Sequence, residues 1–112
     1  MVQVHQIACV EPWFEPICNG SKRIDGRCGE KYASVAPGDI IRFTCKSNDI
    51  HMRVKRVAHY SSFAQLLHVE GLTLVLPGVK TIEDGVKVYR RFYSLEFESK
   101  GVYAFELQCV AK

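Results

Sequence analysis

The chain has 112 residues, 47% of them hydrophobic and 24% charged, and carries a formal net charge of +3. This length suits one domain, with no room for a second core, and the composition is far from the low-hydrophobicity signature of disorder. A charge of +3 is too small to argue for nucleic acid by electrostatics alone, so where the cations fall matters more than their sum.

Residues 2–10 hold an apolar half, Ile7 to Val10, that reads as a strand. The first nine residues include a His and two Gln and no long apolar core, which spells neither a secretion signal nor a membrane span. The expectation is a single domain, 1–112, in the cytoplasm or nucleus. Pro12 suits the first turn of a helix carrying Trp13, Phe14, Ile17 and Cys18, which Asn19-Gly20 ends. That helix is short or bent, because Pro16 removes a backbone donor inside it. From Lys22 to Cys28 the chain extends, and period two places Arg23, Asp25 and Arg27 on one face and Lys22, Ile24, Gly26 and Cys28 on the other.

Pro37-Gly38-Asp39 is a turn signal before the β-rich run Ile40 to Thr44. A polar turn, Lys46 to Asp49, then leads into extended chain from Ile50 to Val57, a hairpin whose His51, Arg53 and Lys55 share a basic face. Ser62 and Gln65 form a capping box for a helix with Phe63, Leu66 and Leu67. Thr81 and Asp84 open another, with Ile82, Val86, Tyr89 and Tyr93 along one stripe. Finally Tyr103, Phe105, Leu107 and Cys109 alternate with Val102, Ala104, Glu106 and Gln108, a last strand with one face in a core. Strands at both ends with helices between them predict an α+β fold, a small, mostly antiparallel barrel or curled sheet with helices packed outside.

The five cysteines, Cys9, Cys18, Cys28, Cys45 and Cys109, are odd in number and scattered, with no C-x-x-C pair. They predict neither a disulfide framework nor a zinc site, and small apolar roles in a reducing compartment suffice. His5, His51, His59 and His68 show no metal spacing, so no metal and no cofactor is expected, although sequence leaves a spatial Cys and His pair open. Asn19-Gly20-Ser21 matches a glycosylation sequon by chance, since nothing indicates secretion.

The chemistry concentrates in Gly20-Ser21-Lys22-Arg23-Ile24-Asp25-Gly26-Arg27, two glycines, three cations and a carboxylate in one turn-to-strand passage. Glycine lets backbone donors approach a ligand, Lys offers a point charge and Arg a bidentate fork for phosphate or a base edge. Further cations at His51, Arg53, Lys55 and Arg56 and at Lys87, Arg90 and Arg91 either extend this into one positive surface or are separate solvated faces.

This segment resembles the hallmark G-x-K-x-x-E-x-R of the ASCH domain family, a PUA-like fold. Gly20, Lys22 and Arg27 match directly, and Asp25 stands where the family usually has Glu. The similarity continues through Pro37-Gly38-Asp39-Ile40-Ile41-Arg42-Phe43, Tyr60-Ser61-Ser62-Phe63, Leu76-Pro77-Gly78-Val79-Lys80, Val88-Tyr89-Arg90-Arg91-Phe92-Tyr93 and Gly101-Val102-Tyr103-Ala104-Phe105-Glu106, in the family's order. The resemblance implies a β-barrel flanked by helices with a cleft beside the first helix, and RNA as ligand. Some similar bacterial proteins hydrolyse the acetyl amide of N4-acetylcytidine with the motif Lys as a catalytic group and a Thr at the position of Asp25. An Asp there changes the mechanism, because it is not a hydroxyl nucleophile. Their downstream catalytic Glu has no secure match, Glu70 and Glu83 being only neighbours in sequence.

Three functions follow as expectations. In an RNA- or nucleotide-binding module, Lys22, Arg27, Arg53 and Lys55 engage phosphate, Trp13 stacks on a base, Gly20 gives close approach, and Asp25 accepts from a base or orients Arg27. In a small metal-independent hydrolase, Asp25 orients or deprotonates a water while Lys22 or Arg27 stabilises the oxyanion. In an adaptor, the basic surface binds an acidic protein. Against each stands a plain structural role: an ion network for Lys22, Asp25 and Arg27, and core packing for Trp13, Phe14, Tyr89, Phe92 and Tyr93.

Overall fold

Two β-hairpin partners form the centre of the molecule, β3 (Ile40–Cys45) and β4 (Asn48–Tyr60), joined by the two-residue turn Lys46-Ser47 in which Lys46 takes a left-handed φ of 56°. The turn is tighter than the four polar residues suggested, and β4 is correspondingly longer. The computed structural model describes residues 2–110, and the remaining elements attach on either side of this hairpin. Strand β1 (Val4–Ala8) adds parallel to β3, while β5 (Val102–Cys109) pairs antiparallel with β4 and β2 (Ile24–Cys28) antiparallel with β5. The order β1-β3-β4-β5-β2 makes a curled, mostly antiparallel half-barrel whose two edges, β1 and β2, are not hydrogen-bonded as strands to one another.

Apolar alternation along β3 buries Ile41, Phe43 and Cys45 on one face. Ile41 and Phe43 build the first core with Ile7, Cys9, Ile17, Met52, Val54, Phe105 and Leu107, completed by Tyr32 and Val35. A second core lies between the sheet and the helices, where Ile24, Cys28, Val102 and Ala104 meet Phe63, Leu66, Leu67, Val75, Leu76 and Tyr89. Strand β5 therefore buries both faces, Phe105 and Leu107 toward the first core and Val102 and Ala104 toward the second, which corrects the expectation of one buried face. Central strands covered on both sides lose the polar alternation that marks a half-solvated strand.

Helix α1 (Phe14–Asn19) is short, as Pro16 requires, and Gly20 ends it with a left-handed φ of 86°. Its first turn contains Pro16 rather than Pro12, which sits before the helix after a cis peptide bond. Ser62 and Thr81 cap α2 (Phe63–Glu70) and α4 (Ile82–Arg90) by accepting from the N–H of Gln65 and Asp84. Gln65 reaches back to the N–H of Ser61, one residue earlier than a strict capping box. A 3₁₀ turn (Glu30–Tyr32) and two single-turn helices, α3 (Leu72–Val75) and α5 (Leu95–Glu98), are too short to leave a periodic signal.

Two further expectations change. Strand β2 begins at Ile24, so Lys22 lies outside it and period two does not separate Lys22 from Asp25. In β4 a bulge between Val54 and Arg56 leaves Lys55 without a cross-strand partner, so the basic face through His51, Arg53 and Lys55 is broken there.

Candidate functional site

Where β1 and β2 fail to meet, the half-barrel leaves a cleft of about 540 Å³, lined by His5 to Val10, Trp13, Lys22, Asp25 to Arg27, Lys31, Tyr32, the α4 side chains Val88 and Tyr89, and Phe92 and Tyr93 just beyond the end of α4. Trp13 packs against both cores at this opening. The sheet is bridged here by a side chain instead of a ladder, since Arg27 Nη1 donates to the carbonyl of Ala8, 3.1 Å away.

Lys22 is 3% exposed and Asp25 4%, both far below what isolated charges tolerate. Lys22 Nζ donates to the carbonyl of Ile24 at 2.8 Å and to that of Val75, and lies 4.0 Å from Asp25 Oδ1 and 5.8 Å from the centre of the Trp13 ring. Arg27 Nε donates to Asp25 Oδ2 at 2.7 Å. One carboxylate thus stands between two cations, leaving the floor of the cleft with a net positive charge. Burial brings the Lys22 ammonium down to about 8, with Asp25 opposing the shift and Arg27 adding to it. Burial also works against the Arg27 charge, but Asp25 outweighs it and holds that guanidinium firmly protonated.

The hydroxyl of Tyr89 stands over Gly26, so close that a Cβ there would come within 2.7 Å of it. The Tyr93 phenol is pushed up to about 12, first by burial and then by the neighbouring Tyr32, so it remains a neutral donor. Cys9 also lines the cleft, yet burial followed by the charge of Asp25 pushes its thiol up to about 12, which disarms it as a nucleophile. His5 is bonded to Asp39, with Nε2 at 2.9 Å from Oδ2, so the spatial Cys and His pair left open by the sequence is not formed by these two. Among the described residues no three His, Cys, Asp or Glu side chains gather as a metal site needs, and no helix is long and apolar enough to cross a membrane.

Of the residues singled out from the sequence, Trp13, Lys22, Asp25 and Arg27 come together in the cleft, and Gly20, Arg53 and Lys55 do not line it. Gly20 is the α1 cap, required by its left-handed φ. Arg53 donates to the carbonyl of Gly38, and Lys55 and Arg56 face Glu106, with Arg56 also paired to Glu70. The three basic segments therefore do not merge: of their cations only Lys22 and Arg27 line the cleft. Glu70, held by Arg56 and Tyr60, and Glu83 both lie outside it, and Asp25 is the one carboxylate among the lining residues. Sequence reasoning missed Lys31, Tyr32 and the free edge of β1, and assigned Tyr89, Phe92 and Tyr93 to the core. Tyr89 is buried, but all three reach the cleft, and Phe92 is 55% exposed. No local pattern marks an edge strand as a cleft wall, because that depends on which strands fail to pair.

No protein-family model and no curated protein matches the sequence. Among solved structures, the crystal structure of the hypothetical protein PH0355 is similar, with a TM-score of 0.90 and 43% identity over 96% of this chain and 100% of that one. The solution structure of protein PF0455 from Pyrococcus furiosus has a TM-score of 0.79 and 40% identity, covering 98% of this chain and 100% of its own. A variant of ZmASCH from Zymomonas mobilis superposes with a TM-score of 0.64 at 12% identity, over 95% of this chain and 68% of that one. This last likeness shows the fold alone, an ASCH-like arrangement of curled sheet and outer helices. With identities of 40% and above across their whole lengths, the chain belongs to the same family as PH0355 and PF0455.

Proposed function

We propose that this chain is an ASCH-like module that binds RNA or a nucleotide in the cleft between β1 and β2. The observation that carries this reading is the buried Lys22, held beside both Asp25 and the Trp13 ring, with the Arg27 guanidinium next to it. A net positive floor next to an aromatic ring suits an anionic ligand with a flat π face, which is the chemistry of a nucleotide. Titration of the protein with short single-stranded RNA, cytidine and N4-acetylcytidine, followed by NMR and thermal shift, tests this. The expected result is perturbation at Trp13, Lys22 and Arg27 without turnover, lost in a folded Lys22→Ala variant. No response to any of the three ligands from the folded protein sinks the reading and favours a protein partner.

A second reading, hydrolysis of a modified nucleoside or of RNA, is favoured by the lowered Lys22 ammonium, which releases its proton around pH 8, with Asp25 4.0 Å away to handle a water. Product formation from N4-acetylcytidine or RNA that disappears in Lys22→Ala supports it.

A further inference from the structure

The free edge of β1 has a hydrogen-bonding pattern that can be worked out from its pairing. The N–H of Ile40 donates to the carbonyl of Gln3 and the N–H of Cys9 to the carbonyl of Thr44, in the parallel register Val4 to Ile40. In such a ladder alternate residues turn both main-chain groups to the same neighbour, so His5, Ile7 and Cys9 bond toward β3 while Val4, Gln6 and Ala8 face the other way. The other way is the cleft, because residues His5 to Val10 line it consecutively and the Ala8 carbonyl is the group that Arg27 reaches. None of the described residues bonds the N–H or carbonyl of Gln6 or the N–H of Ala8.

On the assumption that the cleft binds RNA or a nucleotide, we propose that β1 reads the base through its main chain: the Gln6 carbonyl and the Ala8 N–H bond an adjacent donor and acceptor on one nucleobase edge. A carbonyl at one residue and an N–H two residues on, pointing the same way along a strand edge, complement a planar group that carries both functions side by side. An added peptide strand fits less well. It would need alternate residues along the whole edge, and Arg27 already occupies the Ala8 carbonyl at the C-terminal end of that run. The cleft is also bounded by Trp13 and the Lys22–Asp25–Arg27 network, which suits a compact flat ligand with negative charge.

The test uses the wild-type chain and two variants, Ala8→Pro and Gln6→Pro, titrated with single-stranded RNA and the four nucleoside 5′-monophosphates. Proline at an even position removes an N–H that faces the cleft and none that bonds β3, and edge strands tolerate it. Ala8→Pro is expected to weaken binding about tenfold, as the loss of one hydrogen bond does, with the amides of His5, Ile7 and Cys9 still protected from exchange. Gln6→Pro, which keeps the Gln6 carbonyl, is expected to weaken it less. In the wild type, the Ala8 amide proton should shift and exchange more slowly when ligand binds, a readout independent of any variant's folding. If RNA binds and perturbs Trp13 and Lys22 while the Ala8 amide does not respond, main-chain reading is overturned and the cleft remains a nucleotide site. If RNA fails but an extended peptide shifts the Gln6 and Ala8 amides, both the main-chain base reading and the nucleotide site are overturned.

Discussion

Lys22 donates to two main-chain carbonyls and stands 4.0 Å from Asp25, so it is held in position whether or not it carries a proton. Its folded value of about 8 lies below the ordinary 10.5, so between those values the unfolded chain binds a proton that the folded chain does not. Stability contributed by this group therefore rises as pH climbs through that window, and Lys22→Met should remove the rise in urea unfolding followed against pH. The same titration separates the two functional readings: affinity for a phosphate-bearing ligand should fall as pH passes about 8, whereas hydrolysis by the neutral amine should increase. Asp25 has the opposite role, since its removal leaves two cations without their shared counter-charge. Asp25→Ala is expected to cost about 3 kcal/mol in chemical denaturation, the cost of breaking a buried pair from one side. A loss under about 1 kcal/mol would mean that water reaches these charges freely.

At the scale of elements, β2 and α4 are in close contact where the Tyr89 hydroxyl stands over Gly26, with the Tyr89 ring stacked on Phe63 at 4.0 Å. Because Tyr89 is clamped by that stack, a methyl group at position 26 cannot push it aside cheaply. Gly26→Ala should destabilise by about 1–3 kcal/mol, and the double variant with Tyr89→Phe should recover part of the loss, since the nearest obstacle is then gone. Thermal unfolding of the two single variants and the double decides it. This contact also shows why some elements were legible in sequence and others were not. The caps at Ser62 and Thr81 and the turn at Pro37-Gly38-Asp39 act over four residues, so their residue types announce them. In sequence Gly26 reads as a point where backbone donors approach a ligand, whereas its lack of a side chain makes room for Tyr89, a packing that spans the chain and that no local rule signals. The same is true of Lys22: its spacing from Asp25 suggested opposite faces, and only the late start of β2 at Ile24 brings the two together. The bulge at Lys55 likewise depends on the partner strand β5.

For the molecule as a whole, an open half-barrel means that one wall of the cleft is also the strand with fewest attachments. Strand β1 pairs on one edge only, with β3, and is otherwise tied by Arg42 at the Gln6 side chain, by Arg27 at Ala8 and by Asp39 near its start. Asp39 accepts from Gln3 N–H at 3.2 Å, His5 Nε2 at 2.9 Å and Ala36 N–H at 3.0 Å, so one carboxylate joins β1 to the turn before β3. Its carboxyl is held below the ordinary 3.8, first by the His5 hydrogen bond, with burial opposing and the two backbone donors assisting. The sign follows from linkage: a carboxyl depressed in the folded state contributes stability that is complete above its ordinary value and is lost as pH falls through the lower folded one. Because that contribution is concentrated where β1 joins the sheet, acid should release β1 before the β3–β4–β5 centre unfolds. Amide exchange should show His5, Ile7 and Cys9 losing protection below about pH 4 while Phe43 and Val54 keep theirs. Asp39→Asn, which presents an amide where three donors converge, should loosen the same three amides already at neutral pH and flatten the acid response. Simultaneous loss of protection across all five strands would show instead that β1 is integral to one cooperative unit, and that the cleft is as stable as the core behind it.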